Sequence, residues 1–268
     1  MTISVVMAVH NQLRTLPAAL DSILGQTLKD WELILIADGC DTETELYLVK
    51  YSHQDSRIKL IINRKHLGLT KSLNKGIKIA KGKYIARMDA DDEALPSRFT
   101  KQVEYLNSHR QVKLLGTAAN LIDADGKPLG IKRFASDHEH LRQAILSYCP
   151  FVHPTWMVLT ESLRELGGYN QDFPFAQDYE LALRIAGKYE VANLPEPLLN
   201  YRVNDPAAIS IYQLKQQEKL ALRARFLALT DYGYSWLESW KLVKPLLSYL
   251  VPAKIKRKIY QKFFWNLN

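Results

Sequence analysis

The chain has 268 residues, 47% of them apolar and 24% charged, which excludes a disordered chain and suits one large domain or a domain with an appended tail. Its two cysteines, Cys40 and Cys149, have neither metal-ligand spacing nor a disulfide framework, which points to a reducing compartment. Met1 to Val9 lack the basic segment and long apolar run of a secretory leader, and no stretch reaches the roughly 18 uninterrupted apolar residues of a spanning helix; the expectation is a cytoplasmic protein.

The first hundred residues alternate between two periodicities. Ile3 to Val9 is a short β-branched run that predicts a strand buried on both faces. Thr15 and Pro17 open a helix with Leu20, Ile23 and Leu24 on one side, closed near Gly25. Trp31 to Ile36 and Ile58 to Ile62 predict the second and third strands. Leu69, Leu73, Ile77 and Ala80 are spaced for a helix, with Gly82 as its stop. Tyr84 to Met88 predicts a fourth strand that runs into an acidic loop. Such alternation predicts an α/β fold, a doubly wound and mostly parallel sheet with right-handed crossovers. Ligands of such sheets bind beyond the carboxyl ends of the strands, where Asn11, Asp38 and Asp89 to Asp92 fall.

Beyond residue 110 the pattern is less regular. Val112 to Ala118 predicts a strand, and Leu121 to Ile131 a hairpin turning at Asp125-Gly126. Ser136 and Glu139 form a capping box for a helix reaching about Ser147. Thr160 caps a short helix ended by Gly167-Gly168, and Asp178 to Ala186 predicts another. From Tyr212 the pattern is helical only. This divides the chain into a catalytic domain over 1–211, with halves 1–110 and 111–211, and a helical basic extension over 212–268.

Three signals carry chemistry. Asp89-Ala90-Asp91-Asp92 follows a buried strand, and three carboxylates in four residues repel one another unless a cation sits among them. Hard oxygens of this kind suit Mg²⁺ or Mn²⁺ and, through it, a diphosphate; the other reading is a solvated acidic loop. Asp123-Ala124-Asp125-Gly126 repeats the string where turn chemistry explains it in full, so the strand-end context is what distinguishes the first copy. Asp38-Gly39 at a strand end suits a nucleoside contact, with the glycine allowing close approach, or else an ordinary turn. Asp178 at a predicted helix start reads by itself as a cap with a lowered pKa.

The ordered series Val5-Val6-Met7-Ala8-Val9-His10-Asn11, Ala19 to Thr27, Glu32 to Gly39, Asn63 with Leu67-Gly68-Leu69, Asn74 to Ile77, Gly82 to Ile85 and Met88 to Asp92 closely resembles glycosyltransferase family 2. Leu166 to Tyr169, Gln177 to Leu181, Leu194 to Leu198 and Tyr201-Arg202 continue the resemblance, which covers roughly residues 2 to 210. It implies the GT-A fold, in an enzyme of the kind that builds bacterial surface polysaccharides. By position it implies that Ala8, Val9, Asn11, Asp38, Gly39, Lys71, Asp89, Ala90 and Asp91 meet the nucleotide sugar. It implies that Asp91, with Asp89 and Asp92, holds Mn²⁺ or Mg²⁺, and that Asp178 is the general base of an inverting displacement. His153, Gln177 and Arg202 fall on the acceptor side. Ala37 stands where an aspartate is frequent, Gln177 where a glutamate is frequent, and His10 replaces the usual tyrosine before Asn11.

The formal net charge of +8 concentrates near the end. Lys241 to Lys262 interleave Lys and Arg with aromatic residues, a pattern for an anionic membrane surface or for a helix packed on its own core with a basic outer face. No recognised module supports nucleic-acid binding. The expected partners are a nucleotide-sugar donor, UDP-linked by the resemblance, a glycan or lipid-linked oligosaccharide acceptor, and the cytoplasmic face of the inner membrane. A sugar nucleotidyltransferase shares the sheet and metal site, but its glycine-rich phosphate loop is missing after the first strand; a carbohydrate-binding protein would not need the acidic motif.

Overall fold

A computed structural model of the chain describes residues 1–203, 211–252 and 255–256. Its first part follows the predicted alternation: β1 (Ile3–Val9), α1 (Leu16–Leu24), β2 (Trp31–Asp38), α2 (Thr42–Ser52), β3 (Ile58–Asn63), α3 (Leu69–Ile79) and β4 (Tyr84–Arg87). These four strands lie parallel in the order β3-β2-β1-β4. Both faces of the sheet are covered, and the period of two sorts the side chains. Val5, Met7, Leu33 and Leu35 face one core with α1, α2 and the later α4, while Val6, Ile34 and Ile36 face a second core with α3 and α7.

The second half continues through β5 (Glu93–Ala94), α4 (Arg98–Ser108), β6 (Val112–Ile122), β7 (Pro128–Lys132) and α5 (His138–Ala144). A short 3-10 turn, His153–Thr155, leads into β8 (Met157–Leu159), followed by α6 (Thr160–Glu165), α7 (Gln177–Lys188) and β9 (Glu190–Arg202). Here the sheet becomes mixed. β8 runs antiparallel to both β4 and β6, β6 and β9 are parallel, and β7 pairs with β6 as the expected hairpin. α8 (Ile211–Asp231), a 3-10 helix (Trp236–Leu242) and α9 (Val243–Leu250) close the described chain. α8 packs along α7, and Ala224, Ala228 and Leu229 enter the second core. The tail segment beyond Lys256, which holds much of the predicted basic-aromatic pattern, lies outside the described residues.

Three predicted boundary devices are corrected. Gly82 does not stop α3, which ends at Ala80 in an extended conformation; a Cβ at Gly82 would stand 2.4 Å from the Ser4 nitrogen, so the glycine serves a close backbone approach to β1. The cap of α5 is Asp137, whose carboxylate accepts from the His140 N–H at 3.1 Å, and not Ser136. Thr160 is the first residue of α6 and its hydroxyl donates to the Gly82 carbonyl at 2.7 Å.

Candidate active site

Parallel strands end together, and the register fixes which residues meet. Val9 pairs with Ala37 and Val6 with Arg87, so Ala8 and Val9 stand between Asp38 on one side and Asp89 on the other. Asn11 follows in a left-handed conformation, φ 50°, and its Oδ1 accepts from the Asp41 N–H at 2.7 Å. Asp38 is 2% exposed. Its carboxylate accepts from the Leu67 N–H, the Gly68 N–H and the Asn63 amide, each at 2.9 Å. Burial pushes this carboxyl up, but the bonds from Leu67, Asn63, Ser72 and Gly68 outweigh it and hold the group below its ordinary range. The side chain therefore fixes the loop 64–68 as one wall of the cleft. Gly39, at φ 65°, allows a close approach to that same loop, since a Cβ would lie 2.3 Å from the His66 nitrogen; the contact it permits is within the chain. Above them the His10 and His66 rings lie 4.2 Å apart, each with Nδ1 within hydrogen-bonding distance of the Asp38 carbonyl. Lys71 is exposed on the first turn of α3.

The acidic loop follows β4. Ligand oxygens of Asp89, Asp91 and Asp92 all lie within 4.8 Å of one another. Asp89 is paired with the buried Arg87 guanidinium, and Ala90, itself buried, accepts the Thr15 hydroxyl at 3.1 Å. Asp92 is fully buried: its Oδ1 accepts from the Arg202 N–H at 2.8 Å, while its Oδ2 has no hydrogen-bond partner among the described residues. Burial, together with the like charges of Asp89 and Asp91, pushes the Asp92 carboxyl well above its ordinary range. Three hard donors, mutual repulsion and one orphaned oxygen fit a divalent cation.

Asp178 lies in the first turn of α7, which Ala176 enters at φ 59° with no side-chain cap. The cap reading is thereby corrected. Burial pushes the Asp178 carboxyl above its ordinary range; the Tyr179 N–H and the charge of Arg87 pull it back, and Asp89 adds to the rise. Asp178 thus shares one electrostatic neighbourhood with the acidic loop, and Gln177 stands beside it, half-buried. His153 Nε2 is 2.6 Å from the Tyr169 hydroxyl, with its ring edge-on to Trp156 at 4.8 Å. Burial, reinforced by Arg87, holds this imidazole well below its usual range, so it is neutral at pH 7.

The Arg202 guanidinium, expected on the acceptor side, makes its hydrogen bonds within the chain. Nε donates to the Asp91 carbonyl at 2.9 Å, Nη1 to the Asp123 and Ala124 carbonyls at 2.9 and 3.1 Å, and Nη2 to Glu93 at 2.9 Å. The side chain ties the acidic loop to the tip of the β6–β7 hairpin, so the second Asp-Ala-Asp string stands directly behind the first. Two arginines, Arg98 fully buried and Arg184 half-buried, escaped the sequence reading as parts of this site. Arg98 donates to the Arg87 carbonyl at 2.9 Å from beneath the loop. Arg184 pairs with the buried Glu180 at 2.6 Å and holds the Leu166 and Gly168 carbonyls, which orders the segment before α7. The i,i+4 spacing of Glu180 and Arg184 is the one signal that could have revealed that pair.

The model of glycosyl transferase family 2 matches residues 4–167. The chain is similar to the putative glycosyltransferase EpsE of Bacillus subtilis, 34% identical over 98% of this chain and 95% of that one. It is similar to the O-antigen biosynthesis glycosyltransferase WbnJ of Escherichia coli, 36% identical over 76% of this chain and 80% of that one. Among solved structures, S. aureus TarS 1–349 in complex with UDP superposes with a TM-score of 0.72 at 15% identity, covering 98% of this chain and 75% of that chain. The same TarS fragment in complex with UDP-GlcNAc gives a TM-score of 0.70 at 16% identity, over 98% of this chain and 73% of that one. At such identities the likeness speaks for the fold.

Proposed function

Because the chain belongs to glycosyltransferase family 2 and has the GT-A fold, we propose that this glycosyltransferase moves a sugar from a UDP-sugar to a hydroxyl of a lipid-linked glycan, inverting the anomeric centre in one displacement. The observation that carries the reading is the joint position of Asp178 and the acidic loop. A half-buried carboxylate with a raised proton affinity stands in the field of Asp89 and Arg87, beside the one cluster of metal-ligand type found among the described residues.

The residues divide the work. Ala8, Val9 and Asn11 border the nucleotide, and the loop held by Asp38 closes the other side of the cleft. Asp178 takes the proton from the acceptor hydroxyl at its carboxylate oxygen as that hydroxyl oxygen attacks the anomeric carbon. A raised proton affinity brings this base nearer to the operating pH, where it accepts a proton most effectively. Asp91, with Asp89 and Asp92, would hold Mn²⁺ or Mg²⁺, which when bound neutralises charge on the departing nucleoside diphosphate. Arg202 keeps the loop in place, and Gln177 and His153 line the side from which the acceptor enters. In this reading residues 1–211 form the catalytic unit and 212–268 its extension.

The UDP donor is supported by the UDP and UDP-GlcNAc complexes of TarS, and the role in polysaccharide assembly by similar proteins such as the O-antigen biosynthesis glycosyltransferase WbnJ and the amylovoran biosynthesis glycosyltransferase AmsE of Erwinia amylovora. A lipid-linked acceptor would put the enzyme to work on the cytoplasmic face of the inner membrane. The test is calorimetry with UDP, other nucleoside diphosphates and a panel of UDP-sugars, with and without Mn²⁺. UDP and one UDP-sugar should bind at least ten-fold tighter with Mn²⁺, and Asp91→Ala should remove that gain. A folded protein that binds no nucleotide under any of these conditions overturns the reading.

A further inference from the structure

We propose that the segment formed by the 3-10 helix Trp236–Leu242 and α9 is a membrane-docking surface for anionic lipid, with its apolar side chains seated among the acyl chains and its basic residues at the headgroups. The proposal deepens the reading of a lipid-linked acceptor and rests on it only for the purpose that the surface serves.

The case begins with burial. α9 has an apolar sequence, Val-Lys-Pro-Leu-Leu-Ser-Tyr-Leu, yet none of its residues is buried. Leu237 is 87% exposed, Leu250 75% and Trp240 69%, and Trp236, Val243 and Leu247 are also exposed. Only Leu242 reaches the core, at 3% exposure, and acts as the anchor of the segment. A run of exposed leucine bounded by exposed tryptophan is the composition of a helix lying in a bilayer interface, where the aromatic rings sit at headgroup depth. Such a surface left in water is an association site of some kind.

Charge chooses the occupant. From Ser239 to Asn268 the sequence carries seven Lys and Arg and no Asp or Glu; of these, Lys241 and the buried Lys256 are paired with Glu238 and Glu218, and Lys254, Arg257, Lys258 and Lys262 lie outside the described residues. The one acidic residue within the segment, Glu238, is half-buried and committed to Lys241 at 2.7 Å and to Arg142 at 3.6 Å. Lys244 is exposed. A second copy of the chain docked here would bring this same positive field against itself, whereas an anionic lipid surface attracts it. No helix among the described residues is long and apolar enough to cross a membrane, so the contact envisaged lies in the interface plane.

The experiment uses the full chain with vesicles of phosphatidylcholine alone or with about 30% phosphatidylglycerol, read by co-sedimentation and by tryptophan emission. The expected result is binding that is at least ten-fold tighter with phosphatidylglycerol, a blue shift of emission, and a further ten-fold loss in 0.5 M salt, where screening is within about 4–5 Å. The double variant Trp240→Glu, Leu247→Glu alters exposed positions only; it should bind anionic vesicles at least ten-fold more weakly while melting as the parent does and binding UDP equally. Should that variant misfold, Leu237→Glu, at the most exposed position, replaces it. A folded parent that ignores anionic vesicles, or a dimer in sedimentation equilibrium that Trp240→Glu dissociates, overturns the proposal. UDP binding measured in the same samples reports on the transferase reading separately.

Discussion

Replacing the proposed base, Asp178, should separate stability from activity in opposite directions. In Asp178→Asn the side chain keeps its shape and its place in the first turn of α7 but can no longer take a proton. Loss of a general base costs about 10²–10⁴ in rate, roughly 3–5 kcal/mol of barrier. Stability should move the other way. Burial raises the carboxyl's folded-state pKa above that of the unfolded chain. A group so raised favours folding fully below the unfolded value, near 3.9, and that contribution is lost as pH climbs through the folded value. At neutral pH the ionised Asp178 therefore costs stability, by up to about 1.4 kcal/mol for each pH unit between the two titrations, less a discount because the residue is only half-buried. The assay is UDP release from the cognate UDP-sugar in the presence of a membrane-lipid extract, across pH 4 to 9, beside thermal melts and UDP calorimetry. The parent should lose activity on acidification with a midpoint above the ordinary aspartate range, and the variant should show no such limb. Expected for the variant at pH 7.5 are a rate at least 100-fold lower, a UDP affinity within two-fold of the parent, and a melting temperature equal or higher. A rate within ten-fold of the parent, or parallel losses of rate, UDP affinity and stability, would refute the base assignment.

Three further outcomes test the architecture of the cleft. Asp38→Ala strands the N–H groups of Leu67 and Gly68 and the Asn63 amide, which at about 1–2 kcal/mol for each donor amounts to roughly 3–6 kcal/mol; urea unfolding at pH 7 should show it. Because Asp38's folded pKa is depressed, that difference should hold above about pH 4 and shrink as pH falls through the depressed value; a gap of the same size at every pH counts against the mechanism. Arg202→Met leaves the carbonyls of Asp91, Asp123 and Ala124 without their donors and should weaken Mn²⁺-dependent UDP binding about ten-fold, whereas an arginine that served only the acceptor would leave UDP binding unchanged. Gly39→Ala combines a left-handed φ of 65° with a Cβ 2.3 Å from the His66 nitrogen, so a loss of about 2–4 kcal/mol is expected; a melting temperature within 2 °C of the parent would mean that the loop yields easily.

The parallel half of the fold was legible because periodicity speaks loudest where an element is buried on both faces. Ile3–Val9 and Trp31–Asp38 are runs of apolar residues with no competing pattern. α2 and α4 went unremarked: α2 carries only three buried residues in eleven, so its apolar stripe is thin. β9 was hidden by Pro195 and Pro197, which cannot donate to a ladder; the structure accommodates them by shifting register between Thr117 and Ala118. The parallel β6–β9 pairing joins segments some 80 residues apart, and no local signal encodes it.

The carboxylates of the candidate site mark themselves in the sequence, and Lys71 and Arg202 do so through the resemblance, whereas the contacts that its arginines make do not, and the reason is physical. Asp38 and Asp89 to Asp92 sit at or just past strand ends and Asp178 at a helix start, and such positions leave marks in sequence. An arginine serves by reaching: Arg202 leaves β9 to touch Asp91, Asp123, Ala124 and Glu93, and Arg184 leaves α7 to hold Leu166 and Gly168. Its partners are mostly carbonyl oxygens, which every residue has, so side-chain chemistry along the chain cannot announce them. Arg87 shows the consequence. Placed by β4 beneath the cleft, it pairs with Asp89 and lowers the proton affinity of Asp178, so one cation acts on both the expected metal loop and the expected base. The two carboxylate groups that sequence reads as separate motifs are thus electrically one site, and a change at Arg87 should move both the acidic limb of the rate profile and the metal affinity, where a change at either carboxylate moves chiefly its own.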